Sequence, residues 1–404
     1  MADPRAFPCV SIRFLISAQS LLFLLILCGS ASGQPAPDSA ARAPIDIDIL
    51  FNYYDQEGSH SAVTGGIGTE ALTDYDTRII VLIPVDSVSR LSAEAGFNTY
   101  TSASTDRIDS RMSSASSSDI RASVQLGWEQ EKPETQQAYS WGMGGSVESD
   151  YLSMNIHGSF YQPLKDGQSA LYLDAQAFLG RWVLYFPEEL RDTVQPFITT
   201  DRRFAYHFNL QYQRAVNRRT SLALSTGFSY QHGLLSTPFH RVYFPEEELP
   251  RIERLPGRRW QWPVSLRLHY FAGGGVATRF FYRYYLDGFG IRAHSLELEL
   301  ALKLSPAFSL TPVYRYHRQR AADYFQPYLG HRHGAAFYTS DFDLSAFSSH
   351  KMGLGIRLSP IWRWRLLGKR KLGEITGISL RAAHYRRSDG LRAWMGSLLW
   401  EWAF

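Results

Sequence analysis

The last eleven residues constrain the fold more than any other stretch. Read back from the end, alternate positions give Phe404, Trp402, Trp400, Leu398, Gly396 and Trp394. The intervening positions give Ala403, Glu401, Leu399, Ser397 and Met395. One set is apolar and strongly aromatic; the other is mixed. Side chains of an extended strand alternate sides with period two, so this segment reads as a strand with one apolar face. Water cannot cover such a face cheaply. It needs either a soluble core or lipid.

The same period recurs along the chain. Between Ile291 and Leu304, leucines stand at 296, 298, 300, 302 and 304, alternating with Ser295, Glu297, Glu299, Ala301 and Lys303. A helix would spread those leucines right round its surface, whereas a strand puts them all on one side. Leu222, Leu224, Phe228 and Tyr230 alternate with small residues, and Val264, Leu266, Leu268 and Tyr270 with Ser265, Arg267 and His269. Turn chemistry at Asp166-Gly167, Asp287-Gly288 and Ser388-Asp389-Gly390 separates such runs. Candidate strands run from 45–54 to 391–404. The expected fold class is all-β, an antiparallel transmembrane β-barrel of about 16 strands, within a range of about 14 to 18.

Periodicity alone does not separate a soluble sandwich from a membrane barrel; the ends of the chain do. Arg5 and Arg13 precede an apolar run from Phe14 to Cys28, and small residues follow at Ala31 and Gly33. This is the layout of a cleaved secretory signal peptide, with cleavage expected after Gly33. The run is too short for a comfortable membrane-spanning helix. Cys9 and Cys28 both leave with it, so the mature chain has no disulfide framework and no thiolate metal site. Aromatic residues make up 14% of the chain, a content that suits girdles at two membrane interfaces. The net charge of +4 is too small to argue for nucleic acid. The expected organisation is 1–33 signal peptide, 34–44 flexible leader and 45–404 barrel. Longer loops are expected at 102–118, 232–259 and 319–349. The expected location is the outer membrane of a Gram-negative bacterium. Its lipid and the barrel-assembly machinery are the expected partners. The aromatic end, Trp400, Trp402 and Phe404, resembles the signal that machinery reads.

Several motifs carry a family resemblance. They are Ile83-Pro84-Val85-Asp86-Ser87, Tyr100 to Asp106, Met112 to Ser117, and Glu148-Ser149-Asp150-Tyr151-Leu152-Ser153. Further matches are Arg283-Tyr284-Tyr285, Gly290-Ile291-Arg292-Ala293-His294, Ala321-Ala322-Asp323-Tyr324-Phe325, and Asp341 to Phe347. Together they resemble domain of unknown function 3570, a family of outer-membrane β-barrels, over nearly all of the mature chain. The resemblance implies a barrel with no established substrate and brings no catalytic residues.

Candidate chemistry is sparse. Asp106, Asp109 and Asp119 among hydroxyls could hold calcium, but their spacing matches no defined calcium loop. His331 and His333, with His350 and Asp341, could form a metal site, although Gly330 and Gly334 argue for a plain loop. No Gly-x-Ser-x-Gly elbow is present. No catalytic residue, metal site or cofactor is therefore expected. The useful set is the charges opposite the apolar faces. Glu297, Glu299 and Lys303 share one strand face, Arg267 and His269 another, and Arg279 and Arg283 a third. They are expected to line the lumen, either of a water channel or of a filled core. The function expected is a porin-like channel for small solutes. The alternatives are a non-conducting barrel acting as scaffold or sleeve for a partner, a redox protein included, and a lipid-modifying enzyme.

Overall fold

The computed structural model describes residues 44–101, 118–185, 189, 198–360 and 373–404. The expected signal peptide, nearly all of the leader, and Asp106 and Asp109 lie outside the described residues. The first eight strands are β1 (Asp46–Gly58), β2 (Glu70–Pro84), β3 (Ser89–Thr101), β4 (Ser118–Lys132), β5 (Gln137–Val147), β6 (Tyr151–Pro163), β7 (Ser169–Tyr185) and β8 (Ile198–Asn217). Next come β9 (Thr220–Gly233), the two-residue strands β10 (Arg241–Val242) and β11 (Arg251–Ile252), then β12 (Arg258–Gly273) and β13 (Val276–Asp287). The chain ends with β14 (Arg292–Lys303), β15 (Phe308–Gln319), β16 (Phe347–Leu358), β17 (Glu374–Arg387) and β18 (Arg392–Ala403).

All strands except β10 and β11 form one closed barrel of 16, each antiparallel to its neighbours. Closure comes from β1 against β18, in register from Asp46↔Ala403 to Glu57↔Arg392. The C-terminal aromatic strand is thus the seam. Closing the sheet leaves no edge strand, so each strand of the barrel has a hydrogen-bonding neighbour on both sides. In lipid an unsatisfied backbone group costs roughly several kcal/mol, so only such closed sheets can cross. Among the described residues no helix is long and apolar enough to span a membrane; the strands do the crossing.

The two faces divide as the alternation requires. Leu296, Leu298 and Leu300 of β14 are exposed on the outside, while Ser295, Glu297 and Glu299 are more covered. In β6, Leu152, Met154 and Ile156 are exposed, and Ser153 and Asn155 are buried. Trp141, Phe208, Phe228, Trp262, Met352 and Trp394 extend this apolar belt round the barrel. A closed barrel with an apolar outer belt and a polar interior is an outer-membrane barrel, and its belt is the surface that faces lipid.

The two rims differ. At the rim holding Asp46 and Ala403, most described connections are short, such as 218–219 and 274–275. At the other rim lie longer connections, 59–69, 234–257 and 320–346 among them. The clusters of covered apolar side chains lie at that second end. Val242, Phe244 and Tyr338 form one cluster; Leu255, Phe289, Ile291 and Ala322 form another. Among the described residues, the dry core clusters therefore belong to the loops, while the barrel wall has an apolar face outside and a polar one within.

Candidate functional site: a polar lumen beneath crossing loops

Register fixes which side chains share the inner wall. Arg267 of β12 stands opposite Phe281, Phe281 opposite Glu297, Glu297 opposite Arg315, and Arg315 opposite Lys351. One step nearer the short-turn rim, Arg279 stands opposite Glu299 and forms an ion pair with it. A recess of about 360 Å³ opens here, lined by Asn52, Glu297, Glu299, Lys351 and Arg381 among others. Among the described residues Arg267, Arg283, Arg315, Lys351 and Arg381 have no carboxylate partner within ion-pair distance. The β12–β17 side of the wall is therefore basic.

The opposite side is acidic. Asp74, Asp76 and Glu94 share the inner face of β2 and β3, with Asp174 further round on β7. Arg78 is held among them, 3.0 Å from Asp76 and 3.1 Å from Glu94, and Arg121 of β4, paired with Glu148, lies nearby. A second recess of about 550 Å³ is lined by Arg78, Glu94, Gln125, His157, Asp174 and Gln176. These ion pairs are partly exposed, and such pairs contribute only about 0–1 kcal/mol each. Their consequence is electrostatic rather than mechanical: the lumen has walls of opposite sign.

Loops cross the mouth at the far rim. The 59–69 and 234–257 connections are separated by eight strands in either direction, so they are rooted on opposite sides of the barrel. They nevertheless touch. Arg241 Nη1 donates to the Val63 carbonyl at 2.8 Å. The same guanidinium grips Glu189 of the β7–β8 connection, Nη2 to Oε2 at 3.1 Å. The contact is close enough to demand glycine. A Cβ on Gly65 would lie 2.6 Å from the Tyr243 ring, and one on Gly66 would lie 2.7 Å from the Ser340 carbonyl. Both glycines also have positive φ, at 79° and 87°, a region that side chains disfavour.

The 320–346 connection joins the same assembly. Arg254 and Tyr338 exchange backbone hydrogen bonds of 3.0 and 2.7 Å. Phe342 stacks on His60 at 3.8 Å between ring centres, and its carbonyl accepts from Arg387 at 2.7 Å. Beneath this crossing, His240 and Glu253 from one loop meet Asp341 from another. Burial alone would lower the His240 imidazole, but Glu253, with Asp341 and Asp343, outweighs it and holds it up at about 9. Burial likewise pushes Glu253 up, yet His240, the Thr339 hydroxyl and the Thr237 amide bring it below the usual carboxylate range. Asp341 is raised to about 6 by burial against the pull of His240.

The sequence-derived site residues separate. Glu297 and Glu299 share the first recess. Arg267 lies over the Phe281 ring at 5.5 Å, and Arg283 is half-buried opposite Ser295. Lys303 ends β14 at the short-turn rim, opposite Ser309, and does not line that recess. Lys351 and Arg381 line it instead. The sequence pattern does not reveal them, because their neighbours on the same strand faces are Gly353, Gly355 and Ala383. Trp400 stacks on Trp402, and Trp402 on Phe404, along the seam strand. The histidine grouping does not assemble. His331 is buried against the Thr339 carbonyl at 3.0 Å, His333 pairs with Glu247 at 3.2 Å, and His350 faces outward to the Tyr314 hydroxyl. Asp119 lies instead beside Glu148 and Asp150, its carboxylate accepting from Ser149 at 2.6 Å.

A family model described as protein of unknown function (DUF3570) matches residues 14–367. The chain belongs to the DUF3570 family. No curated protein matches the sequence. Among solved structures, the DUF3570 barrel is similar to the siderophore receptor PirA from Acinetobacter baumannii, at 10% identity and a TM-score of 0.44. That match covers 86% of this chain and 54% of the receptor, so this chain spans about half the receptor's length. A bacterial polysaccharide outer membrane secretin matches at 10% identity and a TM-score of 0.46, covering 89% of this chain and 99% of that one. OccK1 (OpdK) from Pseudomonas aeruginosa matches at 8% identity and a TM-score of 0.40, covering 89% and 98%. At these scores none of them lends the DUF3570 barrel a substrate.

Proposed function

We propose that the DUF3570 barrel is an outer-membrane channel for small solutes, charged ones above all, with its long-loop mouth narrowed by the crossing loops. The observation that carries this reading is the uncancelled charge of the inner wall. A filled core pairs its charges, because a buried lone ion costs several kcal/mol. Arg267, Arg283, Arg315, Lys351 and Arg381 outnumber Glu297 and Glu299 on their wall and have no carboxylate within ion-pair distance among the described residues, which favours a water-filled lumen. Glu297, Glu299 and these cations then act as lumen-lining residues, with Lys303 at the rim. Sixteen strands leave room for an aqueous lumen. In such barrels short turns face the periplasm and long loops the outside, so the narrowed mouth is the outer one.

The test is swelling of proteoliposomes carrying the folded protein, with neutral, anionic and cationic solutes of one size. Swelling that depends on solute charge is expected. A second protein, Arg315→Glu with Lys351→Glu and Arg381→Glu, should reverse the preference. No swelling with any solute would contradict the proposal. The loop crossing itself favours a second reading, a closed barrel acting as scaffold or sleeve. That reading expects no swelling and a partner protein retained on mild extraction.

A further inference from the structure

We propose that His240, Glu253 and Asp341 form a binding site for one divalent transition-metal cation, best matched by zinc(II), which clasps two loops across the mouth. His240 Nδ1 lies 3.4 Å from Glu253 Oε1 and 3.8 Å from Asp341 Oδ2. The three donor atoms lie within 4.8 Å of one another. Metal bonds near 2.1 Å set tetrahedral ligands roughly 3.4 Å apart, so the two histidine–carboxylate edges already match to within tenths of an ångström, and the two carboxylates have to draw together onto the ion. Its donors are one imidazole and two carboxylates. That mixture suits zinc, whereas magnesium and calcium favour oxygen alone.

The surroundings hold these groups in place, as outer partners do in metal sites. The Thr339 hydroxyl donates to Glu253 Oε1 at 2.6 Å and accepts from the Asp341 amide at 3.0 Å, tying both acids together. Thr237 N donates to Glu253 Oε2 at 2.7 Å, and Asp343 N to Asp341 Oδ1 at 2.9 Å. Charge points the same way. Among the described residues no Lys or Arg forms an ion pair with Glu253 or Asp341, since Arg241 holds Glu189 and Arg387 holds Asp343 and Asp389. Two carboxylates thus face one imidazole with no Lys or Arg paired to either, and a doubly charged cation would balance them. A cavity of about 150 Å³, lined by His240, Asp341, His60 and Glu70 among others, supplies room for a water as further ligand.

The experiment takes full-length protein from outer membranes, strips it with chelator in mild detergent, and equilibrates it with zinc chloride. Bound zinc is then counted per chain, with heat-modifiable mobility as the folding control. Wild type should retain about one zinc per folded chain. His240→Gln and Asp341→Asn should each weaken binding at least about tenfold while still folding. Zinc should also slow protease cleavage within 234–257 in wild type but in neither variant. Folded wild type without stoichiometric zinc would overturn the proposal, and so would calcium binding in place of zinc. Undiminished zinc in both folded variants would overturn it too, moving the metal to other histidines such as His331 and His333.

Discussion

Arg241 comes from a loop rooted on one side of the barrel and binds a carbonyl from a loop rooted on the other. Its guanidinium is nearly buried, and Glu189 is its ion-pair partner. Removing one member of such a pair costs about 3–5 kcal/mol, because the other charge stays behind uncompensated. Arg241→Ala should therefore loosen the crossing without unfolding the barrel. Limited proteolysis should become much faster within 59–69 and 234–257, with heat-modifiability unchanged; equal protease resistance would show that the crossing does not depend on Arg241. The His240–Glu253 pair adds a pH dependence. His240 is raised from 6.5 to about 9, so its contribution is complete below 6.5 and is lost as pH rises through about 9. Glu253 is lowered, so its contribution holds above its ordinary value of 4.5 and fades as pH falls further. Asp341 and Asp343 also face His240 and favour its charged form. Metal-free protein should thus lose loop protection against protease between about pH 8 and pH 10, and flat resistance over that range would contradict this. None of these contacts was legible in the sequence. They join segments far apart in the chain, and loop residues carry no period that says where they meet.

Single elements were far easier to read. Each strand states its own face through alternation, so β14 could be recognised from five leucines alone. The seam strand was readable for the same reason, and its aromatic face is where Trp400, Trp402 and Phe404 lie. What the pattern hides is short or diluted. β10 and β11 have two residues each, below any period, and fell inside a stretch read as plain loop. Where one set of alternating residues is glycine or alanine, as around Lys351 and Arg381, the charge is easily passed over. Two expected outcomes belong at this scale. Leu298→Arg places a charge on the lipid face, and near the bilayer midplane that costs about 2–4 kcal/mol. Urea unfolding from liposomes should shift by that amount, whereas Gln176→Arg, on the inner face beside Glu94 and Asp174, should shift far less. Deleting Phe404 should lower the amount of heat-modifiable barrel in outer membranes while leaving folding into detergent intact. Normal assembly of the shortened chain would remove Phe404 from the proposed assembly signal.

At the level of the whole molecule, closure joins the two ends of the described chain, since β1 finds its second partner in β18. The count of 16 strands could be anticipated because the period and the turns agreed along the chain. The division of the lumen into a basic side and an acidic side could not. It depends on which strands stand opposite, and that follows only from the closed ring. The crossing of the mouth depends on the same ring. Channel and cap therefore have to be tested together. The most direct measurement is single-channel conductance in a planar bilayer, comparing folded wild type with a variant lacking 236–254. We expect discrete steps from wild type, larger steps from the shortened variant, and a reversal potential that moves when Arg315, Lys351 and Arg381 become glutamate. Silence from both proteins, each shown to be folded by heat-modifiability, would contradict a solute channel.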